Sequence, residues 1–599
     1  MTPLHIARMR IPLFLMVVCM ALGSLGCRSS TTESAPQAVT RTTGVPCPEI
    51  VRRLPNLSGL RNADGHLRQC WPGMAKCFCD RDNDCYAEPG YVACVPLTTS
   101  PVDAGTRRDS GSPRDVVLAP DSGPVRPPVI DVPPLTDVPP LPPPTPGLRA
   151  FPGAEGFGAN ATGGRGGRVI YVTNLNPSGP GSFQDAVAQA GPRYVLFKVS
   201  GVINGDVQIR NGNLTIAGQT SPAGIIVRGL HTTEEPYCDQ QCGNHAQGVE
   251  NFIIRHVRSR PAGSDFPDGL RLRYARNGII DHCSMGNASD EAVEISYTRN
   301  ITIQDSLLAE TIGGHAQYGG MLMNYTNPAA SYALDDISVI RTVWNRLQGR
   351  FPEMSRESAG VAAQHLVMHV ELVNNLLWDR RWFIDVNPTD VSGGTSGTPL
   401  FYQVNWIGNF SQAPAGNHMG VIWMNPQGSN TTTAYFADNH EGLWPARSDW
   451  DLNYCCSDYN GQAGARPAWA RSTRHPFPMA TAMPSGNVRL YAAANAGAFP
   501  RDAMDTRLMG FVAANQIDPR PSNTNPANDA LSLRSTLAAP LDTDGDGMPD
   551  EWETSHGLSP SVANPNGTGL SMRIAGASGW TDLEVFLNEL AARRVSENR

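Results

Sequence analysis

The most restrictive feature of this chain is a short strand-like piece that keeps returning. "NLTIAG" begins at residue 213, "NFIIRH" at 251, "NGIIDH" at 277, "NITIQD" at 300, "DISVIR" at 336 and "VELVNN" at 370. In each, apolar residues alternate with others, the period of a strand with one face buried. An asparagine or another turn-former commonly begins the piece. From Asn251 to Asn277 the step is 26 residues, and from Asn277 to Asn300 it is 23. Larger steps leave room for loops. A regular step of this size predicts an all-β chain wound as a parallel β-helix, each coil burying its apolar face against its neighbours. A propeller would use repeats of roughly 40–50 residues, and a sandwich would show tighter hairpin spacing.

The β-helical pattern runs over 149–535 of the 599 residues, so other units are expected around it. Residues 1–27 read as an export signal: His5, Arg8 and Arg10 precede the apolar run Ile11 to Leu22, and "SLGC" follows. Cys27 is a candidate lipidated cysteine, which would make a surface lipoprotein; "SLG" equally fits ordinary cleavage and secretion. Residues 28–98 hold Cys47, Cys70, Cys77, Cys79, Cys85 and Cys94, read as a small disulfide-stapled module because export favours disulfides over zinc. Residues 99–148 form a proline-rich, extended linker. The net charge of -8 argues against a nucleic-acid partner. Only Lys76 and Lys198 are lysines, so almost any basic catalytic group must be arginine or histidine.

Residues 536–599 carry a separate motif, "DTDGDGMPDEWE". Asp542, Asp544, Asp546, the Met548 carbonyl, Asp550 and Glu553 fall at positions 1, 3, 5, 7, 9 and 12 of a calcium loop, with Gly547 at the glycine position. The bland alternative is an acidic surface turn. "TDLEVFLNELAARR" follows as a helix, with Thr581 as N-cap and Glu584 completing a capping box.

The densest group of acids lies in "GIIDHCSMGNASDEAVEIS", residues 278–296: Asp281, Asp290, Glu291 and Glu294, with His282 beside them. Together with "AFPGAEGFGANATGGRGGRVIYVTNLNPSGPGSFQDAVAQAGPRYVLFKVSGVI" (150–203) and "LTIAGQTSPAGIIVRG" (214–229), this stretch resembles the pectate lyases of polysaccharide lyase family one. The likeness spans roughly 150–410, and an acidic calcium loop near the C-terminus accompanies some bacterial members. The resemblance implies a right-handed, single-stranded parallel β-helix and calcium-dependent β-elimination of polygalacturonate, giving 4,5-unsaturated products. It implies a pectic polysaccharide as partner and a monomer, with membrane contact only through a lipid anchor.

The resemblance also assigns residues. Asp268 and Asp290 match the calcium-ligand strands, with Glu291 next and Glu294 as a further candidate. The position four residues before Asp290, where the family often has an acid, is Gly286. Arg350, in Arg350-Phe351-Pro352, matches the catalytic arginine and Arg356 a second arginine that grips substrate; Arg346 is the alternative if the alignment slips. His315 or Tyr318 stands where many members have a substrate-binding lysine, and His315 is the choice made here. Asp281 and His282 match a motif expected to serve the scaffold. Cys238 and Cys242 are candidates for a local disulfide, and Cys283 for a buried thiol. The rival readings are arginines merely paired with Glu353 and Glu357, a pectin lyase acting on methylated pectin, and a non-catalytic polysaccharide-binding β-helix.

Overall fold

In the computed structural model the chain divides into two compact units, residues 1–133 and 134–599. The described residues are 45–46, 86–87 and 148–597, apart from 233–247, 265, 313–318, 327–332, 356–366, 390–398, 427–430, 456–457, 479, 521–527, 534–536 and 576–577. In the first unit Val45–Pro46 pairs antiparallel with Tyr86–Ala87. The export signal with Cys27, the cysteines Cys47, Cys70, Cys77, Cys79, Cys85 and Cys94, the pair Cys238 and Cys242, and the site candidates His315 and Arg356 lie outside the described residues.

The second unit is a parallel β-helix, as the repeat predicts. Three parallel sheets run along it, of ten, nine and eight strands, each inner strand hydrogen-bonded to its counterparts one coil before and one coil after. The first sheet holds the recurrent pieces: Phe252 pairs with Gly278 and Gly278 with Ile301, so the 26- and 23-residue steps are the lengths of two coils. Inward side chains from all three sheets fill one core, among them Ile254, Ile280 and Ile303 from the first and Val293, Ile295, Met321 and Met323 from the third.

The turn-formers that open the pieces have a geometric reason. Asn213, Asn251, Asn277, Asn300 and Asp336 all take the left-handed conformation, φ 51 to 56°, which asparagine and aspartate tolerate better than other side-chain-bearing residues. A second left-handed corner, between first and second sheets, is built by His256, His282, Asp305, Arg341 and Asn374. In later coils asparagines saturate this bend: Asn375 Nδ2 donates to Asn409 Oδ1 at 3.0 Å, and Asn409 Nδ2 to Asn439 Oδ1 at 2.8 Å. Such amide ladders satisfy polar groups that the strands cannot reach.

The three ladders end by Glu441, short of residue 535, the end of the expected β region. The chain then turns back, and helices Ser485–Asn495 and Ala503–Ala513 bury Val488, Ala492, Leu508 and Val512 against Leu307, Val343 and Leu376 of the second sheet. At the other end, helix Asp582–Ser596 has the capping box that its sequence predicts. Its Leu583, Phe586, Leu587 and Leu590 pack with Met548 on Tyr194 and Leu196 of the first sheet.

Candidate active site

The candidate acids sit just before two successive strands of the third sheet, Leu270–Arg273 and Val293–Ser296. Parallel pairing of Leu270 with Val293 sets the two approaches side by side. Asp268, Asp290 and Glu291 each offer a carboxylate oxygen, all within 4.8 Å of one another. The Asp268 Oδ1 accepts the Glu291 amide at 3.1 Å, and its Oδ2 accepts Arg271 Nε at 2.7 Å. Burial pushes the Asp268 carboxyl up to about 7; Arg271 opposes this, while Asp290 and Glu294 add to it. Three hard oxygen donors from adjacent coils fit a divalent cation such as calcium.

Glu294 stands apart from that group. On the strand it faces outward, directly opposite Arg271, and it bonds Arg271 and Arg273 at 2.8 Å each. Against burial, Arg273 and Arg271 hold its carboxyl below the usual range. Glu294 is not among the acids whose oxygens gather within 4.8 Å, so the expectation of a fourth ligand is corrected to an ion-pair partner of two arginines, one of which Asp268 also holds at 2.6 Å. Sequence reasoning overlooked these arginines, although their spacing in "LRLR" shows them sharing one strand face. Gly286 is explained by packing: a Cβ there would lie 2.1 Å from the Ala309 carbonyl oxygen, so no acid fits in this register.

Arg350 follows two coils on. Its Nε donates to Glu353 at 2.8 Å, and its Nη1 bonds the Glu291 carboxylate. The intervening coil offers Gly319 and Gly320 at this point. A Cβ on Gly320 would meet the Arg350 carbonyl oxygen at 1.9 Å. Gly320 is thus required by the close approach of the Arg350 backbone, and Glu291 and Arg350, 59 residues apart in sequence, meet across this coil.

Arg346 is elsewhere. Its side chain is 1% exposed, with Nε on Glu310 at 2.8 Å and Nη1 on Asp379 at 3.4 Å. Glu310, Arg346 and Asp379 are all left-handed corner residues, stacked coil on coil. The substrate-gripping role considered for Arg346 is thus corrected to a corner ion pair that no polymer could reach. Asp281 is buried on Arg255 Nε at 2.7 Å and Gln304 Nε2 at 2.8 Å, with His282 Nδ1 at 2.9 Å. Burial acts to raise its carboxyl, yet His282 and Arg255 hold it well below the usual range. Cys283 is a free buried thiol.

In the C-terminal loop, carboxylate oxygens of Asp542, Asp544 and Asp546 also lie within 4.8 Å of one another. Gly545 and Gly547 have φ of 78° and 100°, which lets the loop turn sharply. Asp544 Oδ2 and Glu553 Oε2 are buried with no hydrogen-bond partner, which suits a cation donor set. Asp550 is engaged otherwise, accepting the Thr543 amide and hydroxyl at 2.7 Å each. Asp542 also bonds the Tyr171 hydroxyl, and Met548 presents its side chain to the core. Burial pushes Glu553 up to about 7, with Asp546, Asp544, Asp542 and Asp550 adding to it.

A parallel β-helix with an acid triad and an arginine on one row of turns suits a β-helical polysaccharide lyase, and the relatives place the chain in that class. The chain is 30% identical over 472 residues to the probable pectate lyase C of Emericella nidulans, covering 76% of this chain and 96% of that one. It is 30% identical over 463 residues to the probable pectate lyase C of Aspergillus flavus, covering 74% and 95%. The chain therefore belongs to the pectate lyase family. No family model matches it. Among solved structures it is similar to a Bacillus sp. N165 pectate lyase in complex with trigalacturonate, with a TM-score of 0.35 and 14% identity over 58% of this chain and 98% of that one.

Proposed function

We propose that this protein cleaves polygalacturonate by calcium-dependent β-elimination, leaving 4,5-unsaturated oligogalacturonides. The observation that carries this reading is the Glu291 side chain, shared between the acid triad and Arg350. Asp268, Asp290 and Glu291 would hold the calcium ion, which when bound sets positive charge against the substrate carboxylate and acidifies the neighbouring C5 proton. Arg350 acts at C5. A guanidinium is a poor base while protonated, and Arg350 sits between Glu291 and Glu353. In that setting its first contribution would be charge: a cation already fixed beside the carbon where negative charge develops needs no reorganisation. Arg271 and Arg273, paired with Glu294 and, for Arg271, Asp268, would fix the wall of the site. His315 and Arg356 remain the candidates for gripping the polymer. The N-terminal signal would export the protein, with Cys27 as its candidate anchor, and the cysteine pairs would form outside the cytoplasm.

The test is ultraviolet absorbance of the unsaturated product, with polygalacturonate at alkaline pH, first with calcium and then with chelator. Turnover should require calcium; no product with any demethylated pectin would overturn the reading.

The C-terminal loop is proposed as a second calcium site that ties helix Asp582–Ser596 to the first sheet. Its stability signature has a definite sign. Glu553 is raised from 4.5 to about 7 in the folded chain, so the fold binds more protons than the unfolded chain between those values. Without metal, the stability that Glu553 contributes is lost as pH rises through this window. Calcium at a hundredfold excess over its dissociation constant should add about 2.7 kcal/mol. Melting with chelator should give a midpoint that falls from pH 5 to pH 8, and calcium should restore it; identical midpoints with calcium and chelator would argue for a metal-free acidic turn.

A further inference from the structure

Outward positions of the third sheet form a row whose chemistry changes beyond Arg350. By register the row reads Arg271, Glu294, Leu322, Glu353, Asp385 and Trp423. Its inward neighbours, such as Leu272, Ile295, Met354, Val386 and Met424, are in the core, so these six face the other way. The first two neutralise each other at 2.8 Å. Glu353 and Asp385 instead stand directly opposite one another as like charges, an unfavourable pairing on adjacent strands.

Glu353 is answered by Arg350 at 2.8 Å and by Asn387 Nδ2 at 3.3 Å. Asp385 is 5% exposed, and its Oδ1 has no hydrogen-bond partner. One coil further stands Trp423, part-exposed and outside the core cluster. A free uronate carboxylate placed at Asp385 would add a third negative charge beside Glu353 and Asp385, which is ionised at alkaline pH although burial and Glu353 push it up to about 7. An ester or neutral group would meet no such repulsion there. The face of an indole suits the apolar face of a pyranose ring.

We propose that Asp385 and Trp423 form a subsite, next to Arg350, for a galacturonate whose carboxyl is methyl-esterified. The enzyme's substrate class would then be partly esterified galacturonan: a free carboxylate where the acid triad stands and an ester beyond the arginine. This rests on the β-elimination reading above.

The experiment measures initial rates of unsaturated-product formation, in calcium, on polygalacturonate and on pectins of graded methyl esterification. The wild-type enzyme should work better on partly esterified pectin than on polygalacturonate. Trp423→Ala should lower kcat/KM on the esterified substrate by ~10-fold, the size of one lost contact of about 1.4 kcal/mol, and lower it less on polygalacturonate. Asp385→Lys should reverse the preference, because it offers a cation to the free carboxylate; Asp385→Asn, a near-isosteric change, keeps the test open if the lysine variant does not fold and should weaken the discrimination between the substrates. Rates that fall steadily with esterification, or variants that lose both substrates equally, would overturn the subsite while leaving pectate cleavage intact. No turnover of either substrate would overturn the underlying reading instead.

Discussion

Arg350→Ala should lose about 10²–10³ in kcat, the cost of removing one preorganised electrostatic group, with the fold unchanged. Its side chain belongs to the row of turns and not to the core. The second observable separates catalysis from scaffolding. Arg350 bonds Glu291, which is also one of the triad acids. Removing the guanidinium takes a positive charge away from that carboxylate, so calcium titration of the substrate-free variant should show tighter binding at the triad. Activity within a few-fold of wild type would remove Arg350 from the mechanism. Unchanged calcium affinity would mean that Glu291 does not couple the two.

The largest expected loss of stability is at Asp505, in helix Ala503–Ala513. Its carboxylate accepts Arg260 Nη2 at 2.6 Å and the Ser284 hydroxyl at 2.6 Å, and Arg258 Nε lies 3.6 Å away. All three charged side chains have no exposed surface. Asp502, the other acid present, pairs with Arg258 at 3.3 Å. Burial and Asp505 push Asp502 up to about 6, against the pull of Arg258 and Arg260. Asp505→Ala would leave two buried guanidinium groups with one carboxylate between them. Breaking a buried pair in this way costs ~3–5 kcal/mol, read as a lower denaturation midpoint by circular dichroism. The double change Asp505→Leu with Arg260→Met should cost less than Asp505→Ala alone, because no unpaired charge remains on Arg260. If the double variant is the less stable of the two, shape and not charge holds this helix in place.

The coils were legible because two signals coincide on the same residues. Alternation marks the strands, and the asparagine or aspartate that opens five of the six pieces is the left-handed corner itself. Asp268 and Asp290 were legible through the resemblance, with Glu291 and Glu294 as further candidates, and the fold gathers Glu291 but not Glu294 with the first two. What sequence could not show is what each side chain meets on the next coil. Glu294 looks like Asp290 in a string of letters, but register sets it opposite Arg271, one coil earlier. Arg346 and Arg350 are four residues apart and both left-handed. Only the stacking of corners sends the first to Glu310 and Asp379 and the second to Glu291 and Glu353. The helices after Glu441 lay inside a span expected to be β, because the repeat gives no sign of where its last coil falls.

The glycine coil between Glu291 and Arg350 has a consequence for how such a site can vary. Coils stack at a spacing of about 4.8 Å, so the backbone distance from acids to arginine can change only in whole steps. A chain that inserted or lost one coil there would shift Arg350 by a full step, roughly the length of its own side chain. Finer adjustment is left to side-chain length. The ruler that sets the reach of this site is the backbone ladder, and its smallest division is one coil.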